Sequence, residues 1–257
     1  MPDKLGIAAI FAVLAVPAAL AQWPAATLAG WVEDGSGGRW SLGSASGTLW
    51  NGNATLLTAE GGAGSKRWRA VQSIRWKLRW SELLHGHLGY ETSLEHGGAL
   101  VNVGIAGIAL ENLDTQLPAS ILAGLFSGPL ARYGWTGTLE ARAASFKCRW
   151  NANCTGEIEI VWKNAGVTEL SDATLGSYRS RIVGEGQAVH FDLATLEGRL
   201  QISGNGDAGA GGMRFIGQAS AHGANADRLE AHLRIFGRRG AAPGIYVLEY
   251  RTPGKVN

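Results

Sequence analysis

Apolar and polar positions alternate along most of this chain with a period of two, the signature of half-buried β-strands. Ile74, Trp76, Leu78 and Trp80 fall on one face of such a segment, with Arg75, Lys77 and Arg79 on the other. Val101, Val103 and Ile105 alternate, followed by Ile108 and Leu110. Ile158, Ile160 and Trp162 oppose Glu157, Glu159 and Lys163; Val189, Phe191 and Leu193 oppose His190 and Asp192. Leu200 with Ile202, Phe215 with Ala219, Leu233 with Ile235, and Tyr246, Leu248 and Tyr250 continue the pattern. The pattern predicts an all-β protein of mostly antiparallel sheet. Short helices are predicted at Pro118–Phe126, at Trp80–Leu84 behind a Ser81 cap, and at Ala224–Leu233, a run that strand also fits. Between Ser46 and Leu57 the order strand, Asn51-Gly52, strand predicts a hairpin, because Asn and Gly accept the positive φ of a two-residue turn.

A weak internal echo organises these segments. Trp23-Pro24-Ala25-Ala26-Thr27-Leu28-Ala29-Gly30 matches Leu117-Pro118-Ala119-Ser120-Ile121-Leu122-Ala123-Gly124, with Pro and Gly punctuating a short helix. In the same order, Gly47-Thr48-Leu49 matches Gly137-Thr138-Leu139, Trp76-Lys77 matches Trp162-Lys163, and Leu88-Gly89-Tyr90 matches Leu175-Gly176-Ser177-Tyr178. The echo predicts two similar tandem units, 24–116 and 117–257, the second carrying an extension beyond residue 210. Ahead of them, Leu5–Val32 is free of charge, with an apolar heart at Leu5–Ala21. Two readings compete for residues 1–23. One is a transmembrane helix with Lys4, Gln22 and Trp23 at the membrane interface. The other is a signal peptide cleaved after Ala19-Leu20-Ala21. Both deliver the rest of the chain across a membrane.

Composition adds few constraints. The 257 residues include 38 Gly, which suits many short strands joined by turns. A net charge of +2 argues against nucleic acid as a partner. Cys148 and Cys154 are the only cysteines and form a candidate disulfide in an oxidising compartment. The basic face of Arg75, Lys77 and Arg79 is a candidate surface for a partner's acidic face or anionic lipid, with a solvated strand face as the plainer account.

Sites of chemistry are not suggested. Ser203–Gly209 fits a Gly-rich dinucleotide pattern, but another strand follows where a helix is required, so a hairpin is expected. His85, His87 and His96 lack metal-ligand spacing with the nearby Glu82, Glu91 and Glu95. Gly43-Ser44-Ala45-Ser46-Gly47 puts Ala where a nucleophilic serine would stand. Neither an enzyme nor a cofactor is expected.

The chain resembles the type II secretion system protein N family. The likeness lies in the apolar segment running into Trp23-Pro24-Ala25, in Ser46–Gly52, in the Trp76 strand followed by Glu82–Leu88, in Leu117-Pro118-Ala119, and in Gly198–Gly204 through Leu233–Arg238. The resemblance implies a single-pass inner-membrane protein with a periplasmic β domain. It also implies a non-catalytic accessory or scaffold role, in contact with other secretion proteins, in protein export across the outer membrane. An alternative reading from the residues is a periplasmic β-groove that binds or transfers a lipid or other hydrophobe, with its tryptophans lining the groove.

Overall fold

A computed structural model describes residues 19–60, 67–125, 133–168, 174–209, 212–223 and 226–253. Among these residues, fourteen strands form one antiparallel sheet. They are β1 (Trp40–Gly47), β2 (Asn51–Glu60), β3 (Arg67–Arg79), β4 (His87–Leu94), β5 (Gly97–Gly104), β6 (Gly107–Pro118) and β7 (Trp135–Arg149). β8 (Cys154–Val167), β9 (Gly176–Gly186), β10 (Ala188–Gly198), β11 (Leu200–Gly209), β12 (Gly212–Ala221), β13 (Gly237–Arg239) and β14 (Ile245–Pro253) follow. The spatial order follows the chain through β12, then continues β14, β13. The sheet runs unbroken through residues 116 and 117, because β6 and β7 pair from Gly107–Arg149 to Pro118–Thr138.

Among the described residues, three named α-helices and a 3₁₀ helix decorate this meander. They are α1 (Thr27–Gly35), α2 (Trp80–Leu83), α3 (Ala226–Phe236) and the 3₁₀ segment Ala119–Gly124. Several sequence expectations are adjusted here. Helix α1 passes through Gly30, which was expected to end it, and stops at Gly35. Ser81 does not cap α2: the residue before the helix is Arg79, in extended conformation and without a side-chain cap. Trp80 leaves the alternating row of Trp76 and Leu78 and is exposed, since the chain turns helical at that residue. At the C-terminal end the helical reading prevails: Leu229 and Leu233, four apart, are buried together while Ile235 faces out.

The Ser46–Leu57 hairpin forms, with its turn displaced. Gly47 pairs with Gly52; β1 ends at Gly47 and β2 begins at Asn51, so the loop is Thr48-Leu49-Trp50, and Asn51 and Gly52 open the second strand. The Thr48 hydroxyl accepts the N–H groups of Trp50 (3.3 Å) and Asn51 (3.1 Å), a local cap that holds the chain in this register. Gly47 supplies the positive φ, 85°. Gly52 serves a different need: a Cβ there would lie 2.6 Å from the Trp76 ring, so its bareness admits the indole.

The sheet curls. Ala119 and Ile121 of the 3₁₀ segment are buried in one cluster with Trp40, Leu56 and Val71 of β1–β3 and with Leu139, Ile160 and Trp162 of β7–β8. Strands β2 and β7 are five positions apart and would lie roughly 24 Å from each other in a flat sheet. Only a strongly bent sheet brings both against one short helix. A second seam follows α3, where Leu229 packs with Val167 and Leu175, and Leu233 with Ala219 and Tyr246. An aromatic chain links the seams: Phe236–Tyr133 (6.0 Å), Tyr133–Trp135 (6.0 Å), Trp135–Trp162 (5.5 Å) and Trp162–Tyr178 (5.9 Å).

Candidate interaction surfaces

Alternation gives the sheet an apolar inner face and a charged outer one. Trp76 shows how the inner face is built. Its ring is buried with Ala25 and Ala54, and its indole N–H reaches the carbonyls of Thr48 (3.2 Å) and Leu49 (3.1 Å). The burial therefore leaves no orphan donor. Trp162 repeats the arrangement, donating to the Thr136 carbonyl at 3.0 Å. Tyr178 is buried beside Trp162 and donates its hydroxyl to the Leu200 carbonyl at 2.9 Å; burial pushes its phenol well above the ordinary tyrosine range.

On the outer face the register lines up one charge per strand. Asp114 on β6 stands opposite Arg142 on β7, Arg142 opposite Glu159 on β8, Glu159 opposite Arg181 on β9, and Arg181 opposite Asp192 on β10. Sign alternates at every step, and opposed charges at cross-strand positions attract. Arg142 reaches Asp114 at 3.5 Å. Arg181 grips Glu157, two residues along β8 from its register partner, with both a guanidinium Nε and an Nη2, the latter at 2.6 Å. That hydrogen-bonded pair holds the Glu157 carboxyl below the usual carboxylate range. The ladder is written in the period-two runs Glu157/Glu159 and Arg179/Arg181, but only strand register shows that the rows coincide.

The residues singled out in the sequence separate into three places. Arg75, Lys77 and Arg79 lie along β3 on the outer face, Lys77 opposite Glu91 of β4. Arg79 bends to Glu82 at 3.3 Å. The same carboxylate takes His87 Nε2 at 2.9 Å, so Glu82 ties the end of β3 to the start of β4, a role its spacing did not advertise. Among the described residues no group of three His, Cys, Asp or Glu is arranged to hold a metal ion. Cys148 and Cys154 are bonded, and they face each other across the β7–β8 hairpin. Gln22 and Trp23 sit where the chain enters the sheet: the Trp23 carbonyl accepts Leu49 N–H at 2.8 Å, and its ring lies 6.4 Å from Trp31. Lys4 is outside the described residues. Among the described residues no helix is long and apolar enough to cross a membrane. The Gly-rich run 203–209 lies within strand β11, which pairs with β12 as the hairpin expectation requires.

The comparison with family models matches residues 38–249 to the type II secretion system (T2SS) protein N family. No curated protein and no solved structure matches the chain.

Proposed function

The chain belongs to the type II secretion system protein N family, and from that premise we propose that it is a non-catalytic accessory or scaffold component of the apparatus that exports proteins across the outer membrane. In this reading residues 1–23 anchor it in the inner membrane as a single pass and the sheet stands in the periplasm. The Cys148–Cys154 bond supports an oxidising compartment. One observation carries the mode of action: the charge ladder from Asp114 to Asp192 spreads over five strands of the outer face. Its ion pairs lie side by side from strand to strand, lining shallow, wide-open depressions of the sheet surface. Such a face works by contact with complementary protein surfaces, other secretion components of the inner membrane and periplasm. Formaldehyde crosslinking of membranes followed by capture of the full chain tests this. Secretion-system proteins are expected to be enriched several-fold over a control membrane protein, and the enrichment is expected to fall in the variant Arg142→Glu/Arg181→Glu. An unenriched capture rejects the reading.

The alternative of a lipid- or hydrophobe-binding groove has one observation behind it. Tyr90, Val101, Leu110 and Phe146 follow one another in register on the inner face and are only half-buried. The tryptophans do not line that groove: Trp76 is in the core, Trp40 packs on the 3₁₀ segment, and Trp80 faces solvent.

The same proposal divides the chain into units 24–116 and 117–257. In support, Ala25 and Ala119 are both deeply buried, and Pro24 bridges Thr48 as Pro118 pairs Thr138. Ala54 opposes Ile74 as Ala141 opposes Ile160.

A further inference from the structure

Among the described residues, four of the most exposed large apolar side chains gather at one end of the sheet. In a meander, the turns after odd-numbered strands all lie at one end of the sheet. Four successive tips at that end, after β1, β3, β5 and β7, carry Trp50, then Trp80 with Leu84, then Ile105, then Trp150. Ile105 is 98% exposed, Leu84 89%, Trp80 64% and Trp150 61%. The next tip at this end, Gly186-Gln187, is polar, as are Glu95-His96 and Gly198-Arg199 at the other end; the exposed Leu125 follows the 3₁₀ segment, Leu196 lies within β10, and Trp31 and Ile235 lie on α1 and α3.

The tips are fixed to one another. Trp150 donates its indole N–H to the Gly104 carbonyl (3.1 Å) and its amide to Ala106 (3.2 Å), bolting the β7 tip to the β5 tip. The Cys148–Cys154 bond closes the base of the Trp150 loop. The rings of Trp50 and Trp80 lie 6.2 Å apart. Strands β4 and β5 join the two pairs, with His87 opposite Gly104. The apolar N-terminal run reaches the same end: Trp50 Nε1 donates to the Leu20 carbonyl at 2.7 Å, and Trp23 binds the β1 tip. Rigidly held, water-facing indoles and aliphatic side chains in a row cost solvation free energy that burial would recover. Trp is at home where one part of the ring meets hydrocarbon and the rest meets water.

We propose that this row of tips is a membrane-docking rim, seated in the headgroup region of a phospholipid bilayer beside the point where the N-terminal apolar run meets it. Docking there stands the sheet with its strands steeply inclined to the bilayer and leaves the charge ladder facing sideways, available to other proteins. The proposal rests on the membrane placement given above but not on the secretion role.

The test uses the full chain reconstituted into vesicles of phosphatidylethanolamine and phosphatidylglycerol. Single cysteines at Ile105→Cys and Leu84→Cys accept an environment-sensitive fluorophore, while Cys148 and Cys154, being bonded, do not react. Glu95→Cys, at the opposite end, is the reference. Both substituted rim side chains are solvent-exposed, and circular dichroism of each labelled protein verifies the fold. Rim labels are expected to shift to shorter wavelength and to be quenched at least threefold more than the Glu95→Cys label by lipids carrying a nitroxide near the headgroup. Equal quenching overturns the proposal, as does a chain that fails to associate with the vesicles. Rim labels that stay wet in vesicles but become shielded in native membranes also overturn it and assign the rim to a protein partner. Each of these failures leaves the crosslinking result untouched, so the two readings are separable.

Discussion

At the scale of single residues, the informative positions are those where a side chain does two things at once. Trp76 fills the core and caps two carbonyls, and Gly52 is bare so that the indole can lie across it. Alternation identified Trp76 as inward, but Gly52 read as a turn residue, because its use depends on a ring 24 residues away in sequence. Tyr178 gives a pH test. Its phenol is neutral in both states at neutral pH, so it adds no pH dependence there. Above about pH 10 the unfolded chain ionises, whereas burial keeps the folded phenol protonated. Protons then favour the native state, and stability falls as pH rises. Denaturant midpoints measured from pH 8 to 11 are expected to drop less steeply for Tyr178→Phe than for the parent chain. Tyr90, raised in the same direction by burial, supplies part of the remaining slope. Parallel pH profiles would show that Tyr178 ionises freely.

At the scale of elements, the β7–β8 hairpin illustrates how cysteine spacing turns into structure. Residues 148 and 154 stand directly opposite in the register, and the bond between them closes a loop of seven residues counting both ends. Closing so short a loop stabilises by about 2 kcal/mol in the chain-entropy account. Reduction, or the double variant Cys148→Ser/Cys154→Ser, is expected to lower unfolding free energy by about that amount. Urea titration with and without reductant measures it; an unchanged midpoint would place the constraint outside the cooperative unit. Strands were the most legible elements, since one face touches water and the other does not. Helices were less so. α3 reads equally as strand over Leu233 and Ile235 until Leu229 is seen packed on Val167 and Leu175, and Leu233 on β12 and β14. α1 runs through Gly30 because the fold continues to hold it beyond a residue that merely permits an end.

For the molecule as a whole, the decisive contact is the short 3₁₀ segment that touches the first strands of a bent sheet and its middle strands β7 and β8. Ile121 is buried there, between strands of both proposed units. Ile121→Ala is expected to cost about 2–5 kcal/mol. Hydrogen exchange should then quicken in β2 and in β7–β8 together; quickening confined to one side would mean that the curl is held elsewhere. The all-β class, the inward and outward faces, the presence of the Ser46–Leu57 hairpin and the candidacy of the cysteine pair were already legible in the sequence. Each depends on a period of two or on residues close along the chain, where local sterics and solvation dominate. Which strands share a core, which charges fall in one row, and which tips form one rim were decided only in three dimensions. These depend on register and on sheet curvature, and both arise from packing between residues tens of positions apart, which leaves no local mark in the order of amino acids.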